Sequence, residues 1–310
     1  MWPTFGSLFG EPISAYFVML MIGFSVATLI AARAAKRAGL DHDVIIDLSL
    51  LSLIAGVAGG RLLHVIADGY FMDYVHLCTN PDAVIWKTVE TAGECRHLEG
   101  RWDTASSLCH AVTRDCFAWA EFWNGGLAYY GGLVVATAAG IAFLKREKFP
   151  VGKGVDLVGA VLPVGIFFGR LGCFLGGCCF GSETRGALGV SFPAGSPASD
   201  SQFQHGLLDS KELASLPVHP TQLYESLGCL AIAAWLLLYL LPRKRFDGQV
   251  LLAFLGSYAV LRFGIEYLRA DDRGALLGLS TSQLIGVLIV AAVAVVWPKL
   301  AARSRAIIAA

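Results

Sequence analysis

The sequence predicts an all-α, polytopic membrane helix bundle of about seven transmembrane helices with loop insertions on the outer side. Three observations carry that expectation. The 310 residues are 55% hydrophobic and only 15% charged, whereas a soluble domain of ordinary composition carries about 25% charge. Seven stretches are apolar over the roughly 20 residues that a spanning helix needs. The basic residues between those stretches fall at alternate connections, as Lys and Arg retained on the cytoplasmic side would. The mean hydropathy of +0.61 agrees. Net charge is zero, which removes any electrostatic case for nucleic acid.

The spans lie near 13–32, 44–67, 125–144, 155–176, 221–241, 249–268 and 281–297. No Lys or Arg stands between Met1 and Glu11, so the first stretch reads as a retained helix rather than a cleaved signal peptide. The first connection carries Arg33, Lys36 and Arg37. The third carries Lys145, Arg146, Lys148 and Lys153, the fifth Arg243, Lys244 and Arg245, and the C-terminal end Lys299, Arg303 and Arg305. Seven crossings with the N-terminus outside and the C-terminus in the cytoplasm satisfy all four groups.

Residues 1–310 thus read as a single transmembrane domain with two long outer loops. A cysteine-rich insertion at 69–120 holds Cys78, Cys95, Cys109 and Cys116. Four cysteines in an exported loop suggest two disulfides, with three pairings open. Free thiols, or a zinc site drawing on His76, His97 or His110, are the alternatives; the lack of a tight Cys-x-x-Cys spacing weighs against zinc. The second outer loop, a head region at 181–218, is rich in Gly, Ser and Pro. Loops of such length in compact domains are often functional.

Ionisable residues inside a membrane helix cost about 3 kcal/mol or more near the bilayer centre, so they face the interior and have a partner or a task. The second span holds Gly56, Gly59, Gly60, Arg61, His64 and Asp68. Its glycines allow a second backbone to come close; Arg61 either serves a ligand or snorkels to the interface. The third span opens on Asn124, Gly125, Gly126, Leu127, Ala128, Tyr129, Tyr130, Gly131 and Gly132. That pattern suggests a bent or re-entrant entry, with the tyrosines as interfacial anchors in the alternative. The fourth reads GIFFGRLGCFLGGCCFG over 165–181, enclosing Arg170 among glycines. An arginine there can clamp a phosphate through forked hydrogen bonds, or sit in a structural ion pair. Cys173, Cys178 and Cys179 act as small apolar fillers, or in a redox or metal role. The fifth begins HPTQLYES at His219, with Pro220 suited to a helix start. His219 is a candidate acid or base, or a surface histidine. Glu225 is placed to pair with an arginine. In the sixth, Tyr258, Arg262, Glu266 and Arg269 share one face. Arg262 and Glu266 can pair at i, i+4, and the surplus arginine suits an anionic headgroup.

Taken together, GGR at 59–61, NGGLAYYGGL at 124–133, GRLGCFLGGCCFG at 169–181, HPTQLYE at 219–225 and YAVLRFGIEYLR at 258–269 resemble the prolipoprotein diacylglyceryl transferases. Tyr16 matches that family's first-helix tyrosine. The resemblance spans nearly the whole chain except an insert at about 71–118. It implies transfer of a diacylglyceryl group from phosphatidylglycerol to the lipobox cysteine thiol of a preprolipoprotein signal peptide, with glycerol phosphate leaving. It implies a bacterial inner membrane setting, contact with membrane lipids, and no cofactor or metal. The catalytic candidates are Arg170, Arg262, Tyr130, Glu266, His64 and His219. The substrate-binding candidates are Tyr16, Arg61, Gly131, Gly132, Cys173, Gly181, Tyr258, Gln222, Glu225 and Arg269. The chain departs from the family where Tyr130 replaces a common histidine, and where Cys173 and Cys178 replace asparagine and glutamate. A phenol with a pKa near 10 is a poor base at neutral pH, so His64, His219, a tyrosinate or water must take the thiol proton. The rivals are a non-catalytic phospholipid- or lipoprotein-binding paralogue and a transferase with another acceptor. A transporter would need an inverted repeat, and the sequence offers no convincing one.

Overall fold

A computed structural model describes every residue except 1–2, 9–10, 68, 87–88, 90, 122–125, 270–274, 277 and 310. Asp68, Asn124 and Gly125 therefore lie outside the described residues, as does the side chain of His97. After a hairpin of β1 (Thr4–Leu8) and β2 (Glu11–Ser14), the elements are α1 (Ala15–Arg37), α2 (His42–Ala67), α3 (Phe71–Thr79) and α4 (Ala92–His97). Then come β3 (Arg101–Asp103), β4 (Leu108–His110), α5 (Tyr129–Arg146), α6 (Val151–Leu175) and α7 (Pro197–Gln204). The chain continues with α8 (Thr221–Arg243), α9 (Gln249–Glu266), β5 (Ala275–Leu276), β6 (Leu279–Ser280) and α10 (Thr281–Ala309).

Six of these helices, α1, α2, α6, α8, α9 and α10, are long and apolar enough to cross a membrane. The protein is an all-α multi-pass membrane protein. The span expected at 125–144 is α5, which starts at Tyr129 and ends on Lys145 and Arg146. Two tyrosines and two cations within 18 residues dilute its apolar run.

The chain forms two compact units. The first comprises Met1–Ile46 and Pro150–Ala310, the second Asp47–Phe149. In the first, α6 is the central helix. It packs on α1, α8 and α9, and α9 in turn packs on α10. Glycines set these distances: a Cβ on Gly172 would lie 3.0 Å from Tyr16 Cδ2, and one on Gly159 2.6 Å from Leu251 Cα. At the other end of α6, Asp156 is fully buried. Its carboxylate accepts from the backbone N–H groups of Gly248 (2.9 Å), Val250 (2.8 Å) and Leu251 (3.2 Å) and from Lys244 Nζ (2.8 Å). It thus satisfies the orphan donors that open α9 and complements the positive end of the helix dipole. Residues Trp235–Leu240 of α8 form a π-helical stretch just before Pro242. Proline cannot donate to the preceding turn. The Arg243 side chain donates instead to the carbonyls of Leu238 (3.5 Å) and Tyr239 (3.3 Å).

The head region at 181–218 is ordered around Phe192, which is fully buried with Ala198 and Val218. Val218 bridges Val190 and Glu183, and the backbone N–H of Phe192 donates to Ser215 Oγ at 2.8 Å.

In the second unit α2 and α5 meet at glycines. A Cβ on Gly131 would strike the Gly59 carbonyl oxygen, and one on Gly132 would come within 2.8 Å of that of Gly56. The insertion carries two disulfides, Cys78–Cys116 and Cys95–Cys109, which resolves the three open pairings and removes these cysteines as zinc ligands. Asp103 turns β3 into β4, accepting from Ser106 Oγ at 2.6 Å and the Ala105 N–H at 2.9 Å. These hydrogen bonds, the serine's first, hold its carboxyl below the usual carboxylate range.

Candidate functional site

Three helices of the first unit place charge at matching depth. Arg170 precedes the end of α6 by five residues, Glu225 follows the start of α8 by four, and Arg262 precedes the end of α9 by four. At 1.5 Å per residue each lies roughly 6 to 8 Å inside its helix end.

Arg170 Nη2 lies 3.0 Å from Glu225 Oε1, and Tyr258 Oη donates to the same oxygen at 2.9 Å. Glu225 is fully buried, so this acceptor is shielded and its contacts are strong. Tyr258 and Arg262 stand one turn apart on α9, which places the Arg262 guanidinium next along the face that reaches Glu225. Arg262 Nη2 sits 2.6 Å from Glu266 Oε2 and 3.4 Å from Ser282 Oγ at the start of α10. Ser280 and Gln283 hold that helix start by reciprocal side-chain caps, with Ser280 N–H to Gln283 Oε1 at 3.0 Å and Gln283 N–H to Ser280 Oγ at 3.2 Å.

The polar network is not closed. Arg262 Nη1, Glu225 Oε2 and Gln222 Oε1 are buried without a hydrogen-bond partner among the described residues. An unmade hydrogen bond at a buried charged group costs about 1–3 kcal/mol or more. Buried polar atoms left this way on α8 and α9 are candidates for contact with a polar ligand.

The turn after α6 is tied to the start of α8. Thr221 Oγ1 donates to the Cys179 carbonyl (2.8 Å), and Gln222 Nε2 to that of Cys178 (2.7 Å). The Gly181 N–H donates to the His219 carbonyl (2.9 Å), and the Ser182 N–H to that of Leu268 (2.7 Å). Gly181 is required for this crossing: a Cβ would sit 2.5 Å from the Leu268 oxygen. His219 is half-buried, with Nδ1 3.4 Å from Tyr224 Oη. Arg269 pairs in backbone with Gly181, and its side chain bears on the Cys179 sulfur. Tyr16 packs over Gly172 on α6.

The first unit holds Tyr16, Arg170, Cys173, Gly181, His219, Gln222, Glu225, Tyr258, Arg262, Glu266 and Arg269, with Arg170, Glu225 and Tyr258 in one polar chain and Arg262, Glu266 and Ser282 in another. The remaining candidates belong to the second unit. There Arg61 is buried and donates Nε to the Trp119 carbonyl (2.7 Å), Nη2 to Ala118 (2.6 Å) and Nη1 to Gly126 (3.4 Å). His64 packs against the rings of Tyr70 and Tyr74. Gly131 and Gly132 meet the backbone of α2, as described above. Tyr130 is exposed, its ring edge-on to Tyr129. Sequence reasoning missed Ser282, whose tie to Arg262 has no local signature. It also missed Asp156; an acid early in an apolar span was the signal available.

A family model described as prolipoprotein diacylglyceryl transferase matches residues 3–91 and 108–298. The chain belongs to that family. The unmatched stretch, 92–107, is narrower than the insert expected at about 71–118. Phosphatidylglycerol–prolipoprotein diacylglyceryl transferase 2 of Clostridium perfringens (strain 13 / Type A) is 30% identical over 285 residues, 92% of this chain and 90% of the relative. The enzyme named phosphatidylglycerol–prolipoprotein diacylglyceryl transferase in Clostridium tetani is 28% identical over 287 residues, 93% of each. That of Treponema denticola is 36% identical over 161 residues, 47% of each. Like these diacylglyceryl transferases, the chain is a membrane-embedded transferase.

Proposed function

We propose that this transferase moves the diacylglyceryl group of phosphatidylglycerol to the lipobox cysteine thiol of preprolipoprotein signal peptides, releasing glycerol phosphate, in the bacterial inner membrane. The observation that carries the reading is the unpartnered, buried Nη1 of Arg262, one turn along α9 from the Tyr258 that joins Arg170 on Glu225. A phosphodiester supplies the acceptor oxygens that this donor lacks.

Arg170 and Arg262 hold the lipid phosphate, and Glu225 and Glu266 fix the planes of the two guanidinium groups. The acceptor sulfur forms its bond to the glycerol carbon as the carbon–oxygen bond to phosphate breaks. Glycerol phosphate leaves with that electron pair, and the arginines stabilise the charge as it moves onto the leaving group. In this reading the half-buried His219 takes the thiol proton.

The purified chain, reconstituted with phosphatidylglycerol and a lipobox peptide, is expected to yield a peptide heavier by diacylglycerol minus water in mass spectrometry, with glycerol phosphate released. Phosphatidylglycerol binding without that product would instead identify a non-catalytic paralogue.

A further inference from the structure

Beyond the arginine cluster, the structure gathers three thiols that the transfer reaction as described leaves unused. The sulfur atoms of Cys173, Cys178 and Cys179 all lie within 4.8 Å of one another. Cys173 is buried on the last turn of α6, and the other two are half-buried in the turn that follows. Cys179 adopts φ +63°, a left-handed conformation that costs a side-chain-bearing residue energy and persists where the surroundings impose it. The Thr221 and Gln222 hydrogen bonds to the Cys179 and Cys178 carbonyls impose it here. The turn is held in the shape that brings its sulfurs back toward Cys173.

We propose that Cys173, Cys178 and Cys179 bind one thiophilic divalent cation, zinc being the natural choice, and that its fourth coordination position receives the acceptor thiol. This rests on the transferase reading for its second half only. Zinc held by thiolates at about 2.3 Å in a tetrahedron places the sulfurs about 3.8 Å apart, a contraction that side-chain rotation supplies. Three protein ligands with an open fourth position is the pattern of catalytic rather than structural zinc. An odd cluster of three thiols cannot satisfy itself by disulfides. Three thiolates and a divalent ion carry one net negative charge, and the cations Arg170 and Arg269 act on the cluster, Arg269 through a hydrogen bond to the Cys179 sulfur.

The cation answers the chemical gap that Tyr130 leaves. Coordination of the acceptor S–H releases its proton, to His219 or to water, and keeps the sulfur anionic near neutral pH. That sulfur then donates an electron pair to the glycerol carbon while the carbon–oxygen bond breaks and glycerol phosphate departs. The metal is neither oxidised nor reduced. The thioether product is a weaker ligand than the thiolate and leaves the fourth position.

The test uses the full-length protein, purified reduced in detergent and equilibrated with zinc, then with cadmium as a spectroscopic probe. About one zinc per chain is expected, together with thiolate-to-cadmium charge-transfer absorbance. Both should persist in Cys229→Ala and fall about tenfold or more in Cys178→Ser and Cys179→Ser. Retained phosphatidylglycerol binding shows that the serine variants are folded. Equal zinc in the variants, no zinc in the parent, or these thiols found disulfide-bonded to one another would overturn the site. Separately, stripping the metal should abolish transfer and zinc should restore it; undiminished transfer by stripped enzyme would overturn the activation step. If the parent transfers nothing in any metal state, the transferase reading fails while metal content still decides the site.

Discussion

Arg262 and Glu225 lie at the two ends of one argument about buried charge. Arg262 keeps Nη1 without a partner, whereas Glu225 spends Oε1 on both Arg170 and Tyr258. In the proposed reading the first serves the ligand and the second the architecture, and substitutions should separate the two. Arg262→Ala is expected to cut transfer about 10²- to 10³-fold with unchanged protein in the membrane fraction. Arg262→Lys keeps the charge but loses the fork and should recover only part of the rate. A fully active Arg262→Ala variant would remove the phosphate assignment. Glu225→Ala leaves a buried cation uncompensated, at a cost of about 3–5 kcal/mol, and should lower the thermal midpoint in detergent sharply. Tyr258→Phe removes one neutral partner and should cost about 1 kcal/mol. If the two variants melt alike, the ion pair does not organise the cluster. The Arg262–Glu266 pair was legible in the sequence because i, i+4 spacing is local. That Glu225 pairs with an arginine was legible too, but that the arginine is Arg170 depends on how α6 and α8 face each other, which periodicity does not encode.

Helices in this protein are positioned by absences of side chain as much as by side chains. Gly59 was legible as permitting close approach, whereas Gly131 and Gly132 read as part of a bent entry to the third span; the α2–α5 contact makes close approach the visible role of all three in the second unit. Gly131→Ala would push a methyl group into the Gly59 carbonyl, and overpacking of that kind costs about 1–3 kcal/mol. Thermal unfolding in detergent should show it, while Gly39→Ala in the first connection, where a Cβ meets nothing within 4 Å, controls for the general effect of glycine replacement. Asp156 works in the opposite sense, as one carboxylate closing the start of α9. Burial alone would lower the pKa of Lys244, but its hydrogen bonds to Asp156 and Asp247, and their charges, outweigh that and raise it. A raised lysine stabilises the fold below its unfolded pKa of about 10.4 and loses that contribution as pH climbs through the folded value. Thermal stability should therefore show a lysine-dependent decline only at strongly alkaline pH, and Lys244→Met should erase that decline. The π-helical stretch at Trp235–Leu240 had a sequence signal only in Pro242, which announces a disturbed turn without saying which kind.

At the scale of the whole molecule, the number of crossings fixes the side of the membrane on which each element lies. Six helices satisfy both length and hydropathy, and six crossings would return both termini to one side. The basic groups after α1, α5, α8 and α10 instead require an odd number, which makes α5 the deciding element despite its tyrosines and terminal cations. We expect α5 to cross. Its Lys145 and Arg146 then snorkel to the cytoplasmic interface, and the two disulfides of the insertion lie on the opposite, oxidising side. Reporter fusions test this directly. Alkaline phosphatase, active only outside, should be active when inserted in the β3–β4 turn at Thr104, and a cytoplasm-dependent fluorophore should light up at the C-terminus. Deleting α5 should reverse the C-terminal signal without reversing that of the insertion. A C-terminus found outside in the intact protein would place the Arg170–Glu225–Arg262 cluster at the cytoplasmic ends of its helices, out of reach of an acceptor cysteine emerging on the far side, and the proposed substrate pairing would fall with it.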